Sequence, residues 1–371
     1  MKTTPSLTAG LLLTSLLLTT GCSSLGYYWQ SVNGHLQMVN AARPVDDWLG
    51  DQQIPETLKA RLALSQRIRN FAVTELALPD NASYRRYADL QRSAAVWNVV
   101  AAPEFSLTLK TWCFPIVGCV GYRGYFDESQ ARLEAEAIRK ESKEGLEVGV
   151  YPVPAYSTLG LLNWAGGDPL LNTFINYPEG ELARLIFHEL SHQVVYVPGD
   201  TMFNESFATA VERLGGRQWL NQQAGDTARN EYAIFDGRRQ AFRALALRTR
   251  RSLSQIYDEK NAAALAIPKI HAIKSVAKQE QKAAALARFR SDYAELKTAW
   301  GGFAGYDRWV ERANNATFGA QAAYDELVPG FEALFEREDR HWPRFYAAVK
   351  KLGELPQEKR HLALSVQGIE K

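Results

Sequence analysis

Two histidines and two glutamates in the middle of the chain are spaced like the ligands and the base of a metal-dependent hydrolase. His188 and His192 lie four residues apart, so on a helix both imidazoles project from one face and can bind one Zn²⁺ ion. Glu205 supplies a third ligand, and the fourth position of a tetrahedral site stays open for water. Glu189 follows the first histidine and is placed to act as general base on that water. The spacing therefore predicts a hydrolytic site with a single zinc ion.

The residues around this motif favour a buried site over the alternative, a helix with two surface histidines and a solvated glutamate. Unpartnered His and Glu side chains would be costly in the apolar run that contains the motif, which includes Leu185, Ile186, Phe187 and Leu190. Glu205 begins a second segment with helical character. Glu212 lies two helical turns further along the same face, where it can accept the free ring N–H of a ligating histidine.

Hydrolysis through a tetrahedral oxyanion also needs a hydrogen-bond donor besides the metal, often a tyrosine or a histidine. The spacing does not identify that donor among the 16 tyrosines of the chain. Tyr156 and Tyr232 are candidates. The alternative for each is a purely structural tyrosine.

The N-terminus predicts export and lipid attachment. Residues 7–20 are an apolar, leucine-rich stretch, too short to cross a bilayer comfortably and typical of a signal-peptide core. Gly21, Cys22 and Ser23 follow and resemble the lipobox of bacterial lipoproteins, although Thr19 stands where that motif has leucine. The resemblance implies lipidation of Cys22 and a periplasm-facing place in the cell envelope, and Ser23 implies the outer membrane. The alternative is an ordinary secreted protein with an incidental cysteine.

Two further cysteines, Cys113 and Cys119, are close in sequence, and Pro115 and Gly118 can turn the chain between them. In an oxidising periplasm this spacing predicts a small disulfide-closed loop. The alternative is a pair of reduced cysteines buried in the core.

Composition is typical of a globular enzyme. The 371 residues are 46% hydrophobic, enough for a large core, and by length they could form one large domain or two. A net charge of +2 gives no global field that would attract nucleic acid, so no nucleic-acid partner is predicted. The arginine-rich stretch 238–251 has apolar residues interleaved with the charges, and we interpret it as the solvated face of an amphipathic helix.

Hydrophobic periodicity predicts a mainly helical α+β protein with a small antiparallel sheet. Helices are expected at 55–78, 81–101 and 127–144, and the metal-binding helix should begin near residue 179. The alternating stretch 146–157 contains two prolines and predicts an edge strand, which could be the outermost strand of a small sheet or a strand that pairs with a peptide substrate.

These elements suggest a division of the chain into five regions. They are a signal peptide (1–21), a lipid-anchored tether (22–50), an N-terminal helical region with the Cys113–Cys119 loop (51–145), a metal-binding core (146–216) and a large helical C-terminal region (217–371).

Several segments together resemble a bacterial family of predicted aminopeptidase lipoproteins, over residues 22–360. The segments that carry this resemblance are Tyr27-Tyr28, Trp97-Asn98-Val99, Pro103-Glu104, Trp112-Cys113-Phe114-Pro115, Tyr122-Arg123-Gly124-Tyr125-Phe126, Ala155-Tyr156-Ser157-Thr158-Leu159-Gly160 and the metal segment. Asn204-Glu205-Ser206-Phe207-Ala208 also looks like the Asn-Glu-Gly-Phe-Ala stretch of zinc aminopeptidases. The resemblance implies a zincin-like catalytic core, a zinc peptidase of the gluzincin group, and peptide substrates in the periplasm.

Two features bear on substrate choice. Only twelve residues separate His192 from Glu205, fewer than in the better-known zinc aminopeptidases, so the connection between the two helices must be tight. An aminopeptidase also needs a carboxylate that binds the free amine of its substrate, and the candidates are Glu104, Asp127 and Asp168.

The resemblance favours an aminopeptidase over a zinc endopeptidase. A hypothesis from another class is a zincin-like envelope lipoprotein that binds partners through its helical C-terminal region without turning over peptide. Degenerate proteins of that kind usually lose the base or a ligand, whereas His188, Glu189, His192 and Glu205 are all present in this chain.

Overall fold

The protein is described by a computed structural model that covers residues 26–142, 145–258, 268–322 and 326–365, with backbone alone for 268–275 and 322. The predicted signal peptide, the predicted lipidation site Cys22 and the adjacent Ser23 lie outside the described residues. None of the helices in the described ranges is long and apolar enough to cross a membrane.

The described chain is mainly helical, in agreement with the predicted class. Strands occur only before the metal-binding helix in the described ranges. The helices are α1 (26–41), α2 (Val45–Gly50), α3 (Glu56–Thr74), α4 (Glu128–Glu141), α5 (Glu179–Ser191), α6 (Thr201–Gln222), α7 (Asp226–Tyr257), α8 (Pro268–Ala299), α9 (Asp307–Glu311), α10 (Asn315–Ala322), α11 (Val328–Arg337), α12 (Trp342–Gly353) and α13 (Gln357–Leu364).

Short strands form three small sheets among the described residues. The strands are β1 (Arg43–Pro44), β2 (Arg86–Ala88), β3 (Val96–Pro103), β4 (Trp112–Phe114), β5 (Gly118–Val120), β6 (Arg123–Tyr125), β7 (Leu146–Val153) and β8 (Leu170–Leu171). Their orders are β1-β2-β8, β6-β3-β7 and the hairpin β4-β5. All pairs are antiparallel except β2 with β8, which is parallel, so the expectation of one antiparallel sheet was incomplete. β7 is an edge strand, as its prolines predicted.

The predicted helix at 81–101 is wrong, because this stretch contains β2 and most of β3. In β3, Trp97, Val99 and Ala101 face the cluster that includes α4, whereas Val100 and Ala102 face Ala316 of α10. A strand covered on both faces is apolar throughout and loses the alternation that would identify it. The "N-terminal helical region" is therefore a helix–sheet unit.

Other predicted helices agree with the structure. The expected helix at 55–78 is α3, the charged helix at 127–144 is α4, and the metal-binding helix begins at Glu179 as expected. Asp127 caps α4, because its side chain accepts a hydrogen bond of 2.9 Å from the backbone N–H of Gln130.

The main hydrophobic core joins α5 and α6, which carry the predicted ligands, to the C-terminal region. The predicted boundary between residues 216 and 217 falls inside α6. Phe207 of α6 packs on Phe331 of α11 and Phe345 of α12, with ring centroids 5.7 and 6.0 Å apart. The helices that carry the predicted ligands are thus held partly by residues more than one hundred positions further along the chain.

Candidate metal centre

Helices α5 and α6 pack against each other and bring the predicted ligands together. His188 and Glu189 belong to α5, and His192 follows its last residue. The backbone of His192 keeps helical angles (φ −60°, ψ −21°), so both imidazoles still project from one face, with ring centroids 5.0 Å apart. Glu205 lies in the second turn of α6, opposite the two rings.

The three predicted ligands converge on one point. Oε2 of Glu205 lies 3.3 Å from Nε2 of His188 and 3.8 Å from Nε2 of His192. One ligand atom from each residue lies within 4.8 Å of the others, which is compact enough for a single ion. The side chains of His188, His192 and Glu205 are only 12%, 7% and 14% exposed, so the cluster is largely shielded from bulk water.

The charges around this point match a divalent cation. Burial raises the pKa of Glu189 to about 7. The pKa of Glu205 is nevertheless lowered, because the two histidines outweigh the effect of its burial. Glu189, Glu205 and Glu212 thus bring three buried carboxyl groups to one region, with Arg184 as their buried guanidinium. Burial of so many carboxylates is costly without a compensating cation, and the donor set of two imidazoles and a carboxylate fits zinc.

The two histidines differ in their surroundings. Burial acts to lower the pKa of His188, but hydrogen bonds to the carboxylates of Glu205 and Glu212 raise it well above its usual value. Burial lowers the pKa of His192 to about 4. Nδ1 of His192 is buried, and none of the described residues is hydrogen-bonded to it. A carboxylate therefore supports the Nδ1 side of the His188 ring, whereas the Nδ1 side of the His192 ring has no such support among the described residues.

An ion pair supports His188 from behind. Nδ1 of His188 lies 3.0 Å from Oε2 of Glu212, and Arg184 donates to the other oxygen of the same carboxylate. Burial acts to raise the pKa of Glu212, but Arg184 and His188 lower it to about 2. Glu212 therefore stays ionised, which fixes the tautomer and the orientation of the His188 ring.

This support extends to helix α7. Nη1 of Arg184 lies 3.5 Å from Oδ1 of Asp236, and Arg239 bridges Asp236 and Glu181 at 2.5 Å each. Tyr232 belongs to the same network, because its hydroxyl accepts a hydrogen bond of 3.3 Å from Arg184. The chain of ion pairs thus ties α5, α6 and α7 together behind one predicted ligand.

The short connection between α5 and α6 is held by Asn204. Its Oδ1 accepts from the backbone N–H of Val197 at 2.8 Å, and its Nδ2 donates to the carbonyl of Val197 at 2.8 Å. Asp200 caps α6 by accepting from the N–H of Phe203, and it forms a buried pair with Arg360 at 2.8 Å. These contacts set the position of Glu205, which follows Asn204 directly.

The disulfide-closed hairpin β4-β5 packs against the same connection. Cys113 and Cys119 form a disulfide and are directly opposed in the hairpin. The carbonyl of Val117 in its turn accepts hydrogen bonds from the N–H of Gly199 at 3.1 Å and from the hydroxyl of Tyr196 at 3.3 Å. Gly118 has a φ of +75°, and a Cβ there would lie 2.5 Å from the backbone nitrogen of Gly199. Glycine at 118 permits this close approach.

Several tyrosines that the sequence did not single out surround the cluster. Tyr122 interacts electrostatically with the carboxylates of both Glu205 and Glu189; burial and these charges raise its pKa well above its usual value. No described residue forms a hydrogen bond to its hydroxyl. Tyr151 of β7 and Tyr196 also interact with Glu205, and burial with this charge raises the pKa of each to about 12.

The two tyrosines proposed from the sequence have other neighbours. Tyr156 packs against His35 and Phe126, with ring centroids 5.8 and 5.0 Å away. Tyr232 lies in the ion-pair network behind His188. In the described part of the chain, neither tyrosine hydroxyl is hydrogen-bonded to Glu189 or Glu205, whereas Tyr122 interacts electrostatically with both.

A cavity of about 720 Å³ has none of the predicted ligands in its wall. It is linked to the cluster through Tyr122 and Tyr151, which line it and whose pKa values are raised in part by the charge of Glu205. The remaining wall comes mainly from the segment between β3 and β4, the hairpin, the start of α6 and the C-terminal region, with Leu109, Met202, Arg250, Asp258, Gly319 and His361 among the lining residues. The helical C-terminal region therefore contributes directly to a space large enough for part of a peptide.

Two of the carboxylates proposed as amine-binding groups are engaged elsewhere. Asp127 caps α4. Only the backbone carbonyl of Glu104 accepts from Lys282, at 2.8 Å, so this contact does not engage its carboxylate. Asp168 is buried and affects the pKa of Glu189, but its oxygens accept hydrogen bonds from Ser157 and Thr158.

Some of the supporting residues carried a signal in the sequence. Arg184 precedes His188 by four positions and so shares its helical face. Tyr196 follows His192 by the same interval. Tyr122 and Tyr151 carried no such signal, because the sheet and the hairpin bring them to the cluster from distant positions.

His188, His192 and Glu205 form a compact cluster on two packed helices. Glu189, which directly follows His188 in α5, adds a buried carboxyl group. Together they define a candidate metal-dependent hydrolase centre. Residues 26–364 match the family described as "Putative aminopeptidase", so the chain belongs to that family. The family description indicates a peptidase with peptide substrates. Neither a curated protein nor a solved structure is detectably similar to this chain.

Proposed function

We propose that this protein is a zinc-dependent aminopeptidase of the gluzincin group with a zincin-like core. The observation that carries this proposal is the convergence of His188, His192 and Glu205 within 4.8 Å, next to Glu189 in the sequence. Membership in the "Putative aminopeptidase" family supports peptide-bond hydrolysis independently of the metal motif.

Each residue of the centre has a distinct role. Zinc held by His188, His192 and Glu205 would supply Lewis-acid polarisation of the scissile carbonyl and a lower pKa for the attacking water. Glu189 takes the proton of that water and delivers it to the leaving amine. Because Glu189 is buried, its carboxyl group exchanges protons with the attacking water and not with bulk water. Tyr122 donates its hydroxyl hydrogen to the oxyanion that develops on the carbonyl oxygen.

Peptide binding is assigned to β7 and the adjoining cavity. β7 is an edge strand, so an extended peptide could add to it through backbone hydrogen bonds. Its Tyr151 interacts with Glu205, which brings the strand beside the candidate metal centre. A peptide bound along β7 would therefore lie close to Glu189, the predicted general base.

An endopeptidase is the second candidate. It is favoured by the engagement of the Asp127 and Asp168 carboxylates in structural hydrogen bonds, which leaves Glu104 alone of the three candidates to bind a free amine. A non-catalytic envelope lipoprotein is less favoured, because all four residues of the predicted catalytic motif are present and the three ligands are close together.

We also propose that the protein acts in the periplasm from a lipid anchor on Cys22, in the outer membrane. The lipobox-like segment that ends at Ser23 supports this location. Metabolic labelling with a palmitate analogue tests the lipid anchor: the unmodified protein should take up the label, and Cys22→Ser should not. Equal labelling of the two proteins would contradict lipidation of Cys22.

The function is tested on soluble protein that begins at Ser23. Zinc content is measured by elemental analysis, and the protein is then assayed with a peptide library whose members carry free or acetylated N-termini. One zinc per chain with cleavage of free-amine peptides alone is the expected result. Cleavage of both sets would identify an endopeptidase. Stoichiometric zinc without cleavage would favour the binding role, and a zinc-free, inactive protein would refute the proposal.

A further inference from the structure

Helix α1 exposes a row of large apolar side chains to solvent. Tyr28, Trp29, Val32 and Leu36 are 44%, 72%, 55% and 51% exposed. Their spacing places them within about 100° of one another around the helix axis. Residues 26–41 contain no Asp, Glu, Lys or Arg. The helix therefore presents an uncharged, aromatic and aliphatic face outward.

The opposite face of α1 is the one that packs on the protein. Met38 is 1% exposed and belongs to the main core. Gly34 is buried, and a Cβ there would lie 2.2 Å from the ring of Phe126. The exposed row is thus not the packing face, and an apolar row of this size calls for a partner.

The disulfide-closed hairpin adjoins this row. The ring of Phe114 stacks on Tyr27 at 5.6 Å and meets Tyr28 edge-on at 6.5 Å. Ile116, in the turn of the hairpin, is 64% exposed. Tyr28, Trp29, Val32, Leu36 and Ile116 are named here the α1–hairpin face.

The position of this face in the chain indicates what covers it. Only residues 23–25 separate Cys22 from the first described residue of α1. Four Cα–Cα steps span at most about 14 Å, even when the chain is fully extended. A lipid on Cys22 therefore keeps the start of α1 within about 14 Å of the lipidated residue, and so close to the bilayer surface. Tryptophan and tyrosine are the side chains that prefer the headgroup layer at that surface.

We propose that the α1–hairpin face inserts into the lipid headgroup layer and so fixes the orientation of the protein on its membrane. The inference rests on the lipid anchor proposed above, but not on peptidase activity. α1 lies along the membrane surface, with its uncharged row in contact with lipid and its buried face on the protein. The hairpin links this surface to the connection between α5 and α6 through Val117. The candidate metal centre is therefore held at a set position relative to the bilayer.

The proposal is tested by vesicle flotation with the unlipidated chain that begins at Ser23, which contains every described residue. Vesicles of phosphatidylethanolamine with phosphatidylglycerol are compared with vesicles of phosphatidylcholine. The triple variant Trp29→Gln, Val32→Gln, Leu36→Gln removes the row. The matched control replaces Leu133, Trp164 and Ile234 by Gln, three residues that are 65%, 84% and 56% exposed on other parts of the surface.

We expect the unmodified chain and the control to float with both vesicle types, and the bound fraction of the triple variant to fall at least fivefold. Because the face carries no charge, the two vesicle types should bind the chain within about twofold of each other. Trp29→Gln alone should give an intermediate loss, and a melting curve confirms that each variant is folded. Equal flotation of all variants would overturn the proposal, as would the absence of binding to either vesicle type.

The test also distinguishes lipid from a second copy of the chain as the partner of the α1–hairpin face. If a second copy covers this face, sedimentation equilibrium without lipid would give a dimer for the unmodified chain and a monomer for the triple variant, and neither would bind vesicles. That result would overturn the membrane contact. Since flotation uses unlipidated protein, its failure is distinguishable from loss of lipidation, which Cys22→Ser reports, and from loss of catalysis.

Discussion

Glu189 has the surroundings that a general base in a closed site requires. It is buried beside the cluster of ligands, and it directly follows one of them in α5. Glutamine has the same size but cannot accept the proton. We expect Glu189→Gln to bind one zinc per chain and to lose kcat by about 10²–10⁴-fold. Elemental analysis and steady-state assays on a free-amine peptide measure the two quantities.

His192→Ala is the companion variant, because it removes a ligand and leaves the base in place. It should lose the zinc that Glu189→Gln retains. Full activity in Glu189→Gln would contradict its role, and stoichiometric zinc in His192→Ala would contradict the ligand assignment.

Tyr122 is the second side chain whose role can be isolated. Its hydroxyl should act on the oxyanion and not on the ground-state substrate. We expect Tyr122→Phe to lower kcat by about 10²–10³-fold, with KM and zinc content unchanged. Tyr156→Phe is the matched control that removes the same atom elsewhere and should keep kcat within a few-fold. A larger loss in this control would move the donor role to Tyr156.

At the scale of the elements, the connection between α5 and α6 decides where Glu205 lies. Asn204 holds this connection with two hydrogen bonds to Val197, and neither is available to alanine. We expect Asn204→Ala to lower the free energy of unfolding by about 1–3 kcal/mol and to weaken zinc binding. Urea unfolding and competition with a fluorescent chelator measure these effects.

Alanine has a higher helix propensity than asparagine, so a loss of stability in Asn204→Ala cannot come from α6 itself. Asn70→Ala is the matched control, since Asn70 is exposed within α3. It should raise stability by no more than about 0.7 kcal/mol and leave zinc affinity within experimental error. Unchanged zinc affinity in Asn204→Ala would mean that the connection does not position the ligand.

At the scale of the whole molecule, the hydrophobic core holds α6 against the C-terminal region without help from a metal ion. Helices from the C-terminal region pack on α6, and Arg360 of α13 pairs with Asp200 at its start. The apo protein should therefore keep its fold, while bound zinc stabilises it further.

We expect chelation to leave the far-ultraviolet circular dichroism unchanged and to lower Tm by about 5 °C, since zinc at 100 times its Kd contributes about 2.7 kcal/mol. Differential scanning calorimetry of zinc-loaded and chelated protein checks this. His192→Ala should show no such shift. An equal Tm for the loaded and chelated wild type would argue against a zinc site, and a loss of helical signal would mean that the metal is needed for the fold.

The sequence by itself determined what local spacing encodes. The interval between His188 and His192 indicated a shared helical face, and the apolar periodicity located α3, α4 and the start of α5. Such features depend on contacts within a few turns, so they can be identified in a single segment. Glu212 was also predicted beside a histidine, because two helical turns separate it from Glu205 on one face.

Only the tertiary structure decided which distant residues complete the centre. Tyr122 and Tyr151 reach Glu205 because sheet pairing and the hairpin bring them there, and no local period records such pairing. The apolar run in β3 was mistaken for a helix because both its faces are covered. The C-terminal region joins the core of the metal-binding helices through long-range packing of Phe331 and Phe345 on Phe207. Burial between distant segments is a property of the folded chain, so their order in the sequence could not reveal it.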